Sequence, residues 1–553
     1  MAILILGYLT LFPLVSLVVG SFASTAADGS VVYGLANYIS AYNDPIIAKL
    51  YLNSFVFSGG TCFVALGLGS VLAWIAERTN APGRRYFLAM GLVPIIIPGV
   101  LSTISWIFLL DPEIGLVNNL FRSVLGSGSK TGPFSVYSMG GMIFVEGLHL
   151  IPLTFLLMSA AYKSMDPALE ESAMMSGSGV LRTLRRITMP MLLPTAASTL
   201  LILFVRGIES FEVPAILGVP AKVFVFTSNI YLSLAKYPPN YGEAGATAVS
   251  LLALAAAGVL IYNRAAGRSE RYSTVTGKAF RPRVIDLGAW RWAAFGFFIL
   301  CFVVMVVLPF LMLLWVSLLP FYAVPSPAAL QRVSLANYDF LFHYERATVA
   351  FRNSLLLGAG ASAAVMLLTA IISWLTMKTK LFGRQALDVL AFLPIGIPGL
   401  VLGVSLIWQY ISFPLPIYGT LWVLLLAYIT RYMPYGMRAN SGAMIQIHKE
   451  LEEASKMAGG SWWTSFRRVV LPLLRPGLVA GWIYIFVISV RELGSSILLT
   501  TGNNLVLAVL VFDLYQAGRM GAMAALAVIF IAVLLIVVSG MYKLSGRFGL
   551  RGA

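Results

Sequence analysis

Stretches of about 20 apolar residues recur along the whole chain, the length a helix needs to cross a hydrocarbon core about 30 Å thick. Twelve such spans are read, at 3–23, 53–76, 87–110, 138–160, 195–217, 244–263, 293–319, 353–376, 387–410, 417–436, 477–499 and 520–542. Hydrocarbon offers no water to backbone N–H and C=O groups, so each span must satisfy them internally. Helices do this, and the sequence predicts an all-α polytopic membrane protein of about 12 transmembrane helices. Composition agrees. Of 553 residues, 59% are hydrophobic and 11% charged, against about 25% charged in soluble domains.

The net charge of +16 acquires its meaning from where the charges fall. With alternate loops assigned to opposite sides, loops 77–86, 161–194, 264–292, 377–386, 437–476 and the tail 543–553 hold 26 of the 38 Lys and Arg. The other set (24–52, 111–137, 218–243, 320–352, 411–416 and 500–519) holds 9. Excess Lys and Arg in short loops marks the cytoplasmic face. Both termini are therefore expected in the cytoplasm, and the basic surplus orients the chain without implying a nucleic-acid partner. Cys62 and Cys301 both fall in apolar spans and exclude a disulfide framework. The apolar start, without a basic segment or cleavage site, reads as a retained first helix.

The chain also repeats itself. At an offset of 300, Asn53-Ser54 recurs as Asn353-Ser354, Trp74 as Trp374, Thr79 as Thr379 and Gly83-Arg84 as Gly383-Arg384. Pro94, Pro98 and Gly99 recur as Pro394, Pro398 and Gly399 at that same offset. Later the offset becomes 282: Glu170-Glu171 match Glu452-Glu453, Gly177 matches Gly459, Arg185-Arg186 match Arg467-Arg468, and Pro190 and Pro194 match Pro472 and Pro476. The reading is a first six-helix repeat over 1–263, a basic cytoplasmic linker over 264–292 and a second six-helix repeat over 293–553. An even number of spans per repeat makes the halves parallel.

Loops 161–194 and 437–476 carry the strongest functional signal. Asp166 suits an N-cap, Pro167 the first helical position and Gly177 a left-handed C-terminal residue. Glu170 and Glu171 sit at the favourable end of the helix dipole. A short helix, too polar and too short to span, is expected there. A basic segment from Val180 to Pro190 follows, with Arg182, Arg185 and Arg186 on one face. The second loop, Glu452 to Pro472, adds Trp462 and Trp463, which suit the membrane interface. Two helices that merely close a loop would look similar, but more than 30 residues kept twice in register fit a docking site for a cytoplasmic partner better.

The residues Glu171-Ser172-Ala173, Gly177 and Ile187-Thr188-Met189-Pro190 resemble the Glu-Ala-Ala motif of permeases from binding-protein-dependent ABC importers. The motif returns as Glu453-Ala454-Ser455, Gly459 and Val469-Val470-Leu471-Pro472; Ser172, Met189, Ser455 and Val469 are mild departures from it. The resemblance covers nearly the whole chain and implies a type I ABC importer permease fold. It also implies alternating access driven by two copies of a cytoplasmic ABC ATPase, with a periplasmic or lipid-anchored substrate-binding protein delivering substrate across a bacterial inner membrane. By carry-over Glu170, Glu171, Ala173, Gly177, Glu452, Glu453, Ala454 and Gly459 belong to the ATPase-docking helices. The fused two-repeat form, with Arg431-Tyr-Met-Pro-Tyr-Gly-Met-Arg438, looks most like the ferric-iron importer permeases. Relatives of this architecture carry thiamine, aminoethylphosphonate, polyamines or sugar phosphates.

The chain is not expected to be an enzyme or to bind a cofactor, and no catalytic or metal site is read from it. ATP and Mg belong to the partner subunit: the sole Gly-Lys pair, Gly277-Lys278, is followed by Ala279 and lacks the first Gly of a phosphate-binding loop. His149, His343 and His448 lie in different segments and form no metal cluster. Ionisable residues inside spans are candidates for a translocation path: Glu146, Arg206, Glu209, Glu212, Arg491 and Glu492, with Arg431 matching His149. Arg206 and Glu209 are three apart and can pair on one helical face. A salt-bridge set holding the protein together accounts for them equally well. An ion-coupled secondary transporter of twelve spans is the remote alternative, and it would have no use for the duplicated loops.

Overall fold

The computed structural model describes residues 2–25, 30–126, 129–165, 168–269, 284–412, 415–445 and 447–547. Most of the linker, like Asp166, Pro167 and the Gly277-Lys278 pair, lies outside them. Among the described residues the named elements are helices apart from one short antiparallel pair, Ala23–Thr25 with Val31–Tyr33. In chain order the helices used below are α1 (Ala2–Phe22), α2 (Ile46–Arg78), α3 (Arg84–Leu92), α4 (Gly99–Leu110), α5 (Met139–Ser164), α6 (Ala168–Met175), α7 (Met189–Glu209) and α8 (Phe226–Ala235). They continue as α9 (Tyr241–Ser269), α10 (Trp290–Phe302), α11 (Leu308–Ser317), α12 (Glu345–Lys378), α13 (Arg384–Phe392), α14 (Gly399–Ser412) and α15 (Leu421–Ile445). The last four are α16 (Lys449–Met457), α17 (Leu471–Val490), α18 (Leu507–Gln516) and α19 (Met520–Arg547).

Among the described residues nine helices are long and apolar enough to cross a membrane, and two bent pairs raise the number to at most eleven. The expected count of twelve is thus not reached in that form. The spans expected at 87–110 and 387–410 are each broken, by 91° and 109°. Proline is the cause. The residue before a proline is driven out of helical conformation, and Ile97 (ψ 121°) and Ile397 (ψ 109°) are extended. The span expected at 417–436 is α15, which is not among the nine.

Two further boundaries move. The membrane-crossing helices expected at 195–217 and 477–499 run over Leu184–Glu209 and Trp463–Val490. The basic segments are therefore the first turns of spans, not separate loop helices. Wide turns at Leu184–Thr188 and Phe466–Val470 carry the backbone into Pro190 and Pro472, with Met189 N–H reaching back to Leu184 O. Such a turn accommodates a proline that can neither donate nor tolerate the preceding carbonyl. Arg185, Arg186, Arg467 and Arg468 stay exposed on these turns.

Packing divides the chain differently from the repeat. One compact unit comprises Met1–Asp44, Ile230–Leu252 and Leu335–Ala553; the other comprises Pro45–Asn229 and Ala253–Ser334. The first span of each repeat thus packs with the later spans of the other repeat. In the first unit α1 lies on α13 and α14. There Leu6 joins Ile372, Leu387, Ala391, Met433 and Met437 in one buried cluster, and any side chain at Gly20 would strike the Trp408 indole. In the second unit Phe298 of α10 stacks on Phe87 at 3.9 Å between ring centroids.

Helix pairs approach closely at small residues, the usual substitute for hydrophobic driving force in lipid. A Cβ on Gly436 of α15 would lie 2.6 Å from Val365 and 2.7 Å from Thr369 on α12. Asn440 reinforces the same seam, donating to Met366 O at 3.0 Å and Thr369 Oγ1 at 2.8 Å.

The repeated Asn-Ser pair also finds its purpose. Asn53 Nδ2 donates to Phe224 O (3.0 Å) and Ser54 Oγ accepts from Phe226 N–H (3.1 Å). Asn353 Nδ2 donates to Leu505 O (3.0 Å) and Ser354 Oγ accepts from Leu507 N–H (2.8 Å). Each pair clamps the start of the short helix α8 or α18 to a long span. Asn353 is buried, so Asn353→Ala leaves a buried carbonyl unpaired and is expected to cost about 1–3 kcal/mol. The check is a lowered thermal-unfolding midpoint of the detergent-solubilised protein.

Candidate functional site

The two loop helices predicted from sequence are present as α6 and α16. Each ends on a glycine in left-handed conformation, Gly177 at φ 81° and Gly459 at φ 78°, where an L side chain would be strained. Ser178 N–H then reaches Ala173 O (3.0 Å) and Gly460 N–H reaches Ser455 O (2.9 Å), which satisfies the terminal carbonyls in the Schellman manner. Outward, the helices present matched apolar side chains: Leu169 and Leu451, and the nearly bare Met175 (88% exposed) and Met457 (90%). Glu453 and Ala454 are exposed, while Glu171 and Ala173 are half-buried.

Glu170 and Glu452 point the other way. Glu170 is buried and forms an ion pair with Arg78, itself wholly buried in the last turn of α2. Thr188 Oγ1, at the entry to α7, donates to Glu170 Oε1 at 2.6 Å. One carboxylate therefore ties the loop helix to the end of one span and the start of another. In the second half Lys378 Nζ, in the last turn of α12, stands 3.6 Å from Glu452 Oε1. Trp374 Nε1 donates to Glu452 Oε2 at 3.2 Å. The chain around Arg78 is pinned further, since Ile285 N–H donates to Arg78 O (2.8 Å). Just beyond, the Gly288 backbone N–H and the Asn80 amide hold the Asp286 carboxyl below its ordinary pKa.

The ionisable groups within spans resolve into local pairs. Arg206 Nη1 lies 3.5 Å from Glu209 Oε2, the pairing expected from their spacing, and His149 Nδ1 lies 3.6 Å from Glu146 Oε2. Glu212 sits so close to Gly99 that a methyl group there would overlap its carboxylate. That places a negative charge at the N-terminus of the half-helix α4, where the helix dipole favours it. In the other unit Glu492 gathers four donors: Arg431 Nε (3.2 Å), Tyr432 Oη (2.5 Å), and the Ser495 N–H (3.0 Å) and Oγ (3.2 Å). Its neighbour Arg491 is half-buried. Among the described residues no group of three or more His, Cys, Asp or Glu could hold a metal ion.

Sequence reasoning found the carboxylates and missed their partners. Arg78 and Lys378 are 300 residues apart like the other matches, but the pair preserves charge without preserving identity. Tyr432 carried no signal beyond its place beside Arg431.

Removing the Arg78 guanidinium strands a buried carboxylate, and breaking a buried pair from one side typically costs about 3–5 kcal/mol. Arg78→Ala is expected to fall in that range and Thr188→Ala nearer 1 kcal/mol, read as thermal-unfolding shifts in detergent.

The family described as "binding-protein-dependent transport system inner membrane component" matches residues 65–271 and again 366–548. The ferric transport system permease protein FbpB of Actinobacillus pleuropneumoniae is 24% identical over 547 residues, covering 97% of this chain and 76% of that protein. The Fe(3+)-transport system permease protein FbpB 2 of Haemophilus influenzae is 23% identical over 484 residues, covering 87% of each chain. A chain of a solved bacterial ABC transporter involved in the import of the acidic polysaccharide alginate is 18% identical, with a TM-score of 0.36 over 45% of this chain and 93% of that one. Matched twice and over most of its length, the chain belongs to the family of binding-protein-dependent transport system inner membrane components.

Proposed function

We propose that the chain is the permease of an ATP-driven importer that carries ferric iron into the cytoplasm. The observation that carries the transport mechanism is the matched pair of loop helices, α6 and α16, each with a bare apolar face and a left-handed glycine at its end. Two such helices on one chain suit two copies of a cytoplasmic ATPase. ATP and Mg are then bound and consumed on those subunits, and this chain has a transport role only. Leu169, Met175, Leu451 and Met457 would fill apolar grooves on the partner, with Glu171 and Glu453 beside them. The lysine and arginine distribution orients these loops and both termini towards the cytoplasm. A periplasmic or lipid-anchored binding protein delivers substrate on the opposite side.

Ferric iron is favoured because relatives that align over 87% or more of the chain carry that name. The translocation path is proposed to use Glu146, Arg206, Glu209, Glu212, Arg491 and Glu492. Carboxylates suit a hard trivalent cation, and the nearby arginines keep the apo path from holding excess negative charge.

The first test is recovery of the tagged chain from native membranes in detergent. A cytoplasmic ATPase should co-purify, and the double variant Glu171→Ala/Glu453→Ala should lose it; absence of any ATPase from the wild-type sample overturns the importer reading. The substrate is tested by uptake of radiolabelled ferric iron into cells lacking the chain, with and without a plasmid copy. Restoration of iron uptake supports the assignment, and restoration of aminoethylphosphonate uptake alone would replace it.

A further inference from the structure

The docking reading places Glu170 and Glu452 among the residues that meet the ATPase, yet both carboxylates are turned inward and buried. Their partners are alike in position. Arg78 and Lys378 end the long helices α2 and α12, the same spans that carry the Asn-Ser pairs nearer their starts. Glu170 and Glu452 lie in the first turns of α6 and α16. Two different offsets, 300 for the cations and 282 for the carboxylates, bring the same pairing together in both halves. Chance would have to act twice.

The supporting bonds differ while the outcome is the same. In the first half the second bond to the carboxylate comes from Thr188; the position matching it is Val470, which has no hydroxyl, and the Trp374 indole takes over. Arg78 is completely buried, and the Lys378 side chain is only 6% exposed. A closure that needed nothing beyond a turn would not keep a buried charge pair, since desolvating two charges offsets much of their attraction. What such a pair does supply is rigidity: it has one geometry, and sliding the loop helix away from the span leaves both charges unpaired in low dielectric.

We infer that Glu170 and Glu452 are positioning residues that latch each ATPase-docking helix to the end of one long span, so that motion of the ATPase is transmitted to α2 and α12. This rests on the importer reading above. It separates two roles within one motif: adjacent glutamates in sequence, Glu170-Glu171 and Glu452-Glu453, divide into an inner latch and an outer face towards the partner.

The test uses the assembled transporter in liposomes, with the binding protein, and compares three readouts: ATPase co-purification, ATP hydrolysis and substrate uptake. Glu170→Gln keeps the shape and the capacity to accept from Thr188 but removes the charge facing Arg78. The expected result is an ATPase that still co-purifies and hydrolyses ATP, with uptake per ATP reduced about tenfold or more, the scale of ordinary coupling between two sites. The exchange Arg78→Glu/Glu170→Arg should restore part of that loss. Should Glu170→Gln fail to accumulate, Thr188→Val removes one bond and leaves the ion pair; lowered uptake per ATP with ATPase bound supports the latch. Full uptake per ATP in either variant overturns it, as does loss of the ATPase from Glu170→Gln in parallel with Glu171→Ala, which would make Glu170 a direct contact. A wild-type chain that binds no ATPase fails at the earlier step and takes the importer reading with it.

Discussion

A backbone in hydrocarbon must find its hydrogen bonds within itself or within protein, and this demand shapes nearly every feature of the chain. It forces long helices where the sequence is uninterrupted. Where prolines interrupt it, the freed groups are kept in protein surroundings. Both broken helices bend at a proline and restart at a glycine, Gly99 or Gly399. A charged side chain then lies directly against that restart: the Glu212 carboxylate at Gly99 and the Arg431 guanidinium, paired with Glu492, at Gly399. The absence of a Cβ is what lets those charges approach.

The same demand explains why several buried polar side chains serve elements other than their own. Asn53 and Asn353 donate to backbone carbonyls just ahead of short helices, and Asn440 bridges two spans. Buried Arg78 and Lys378 serve the loop helices in the same way. The first span of the chain also packs in the unit built on the other repeat.

Much of this was legible in the sequence. The apolar runs announced the bilayer, the double offset announced the repeat, and Gly177 and Gly459 announced the ends of the loop helices. Arg206 and Glu209 pair as their spacing required. What stayed hidden had physical reasons. Apolar runs cannot reveal a bend, so Pro94 and Pro98 were seen while the broken span was not. Basic residues on the exposed side of a continuing helix look like loop, which displaced the start of the span at Leu184. Partners distant in sequence leave no periodicity, so the inward turn of Glu170 and Glu452 could be found only by folding the chain. Packing of the first span of one repeat with the other repeat is equally invisible, because an apolar helix does not name its partner in its own sequence.

The central claim is that transport through this chain is powered by ATP bound to a docked partner. It is tested most directly with the purified permease and its ATPase in liposomes, ATP enclosed on the side bearing the loop helices and iron-loaded binding protein on the other. The account predicts iron accumulation that requires enclosed, hydrolysable ATP and persists when ion gradients are collapsed. Accumulation that follows an imposed proton gradient and ignores ATP would contradict it.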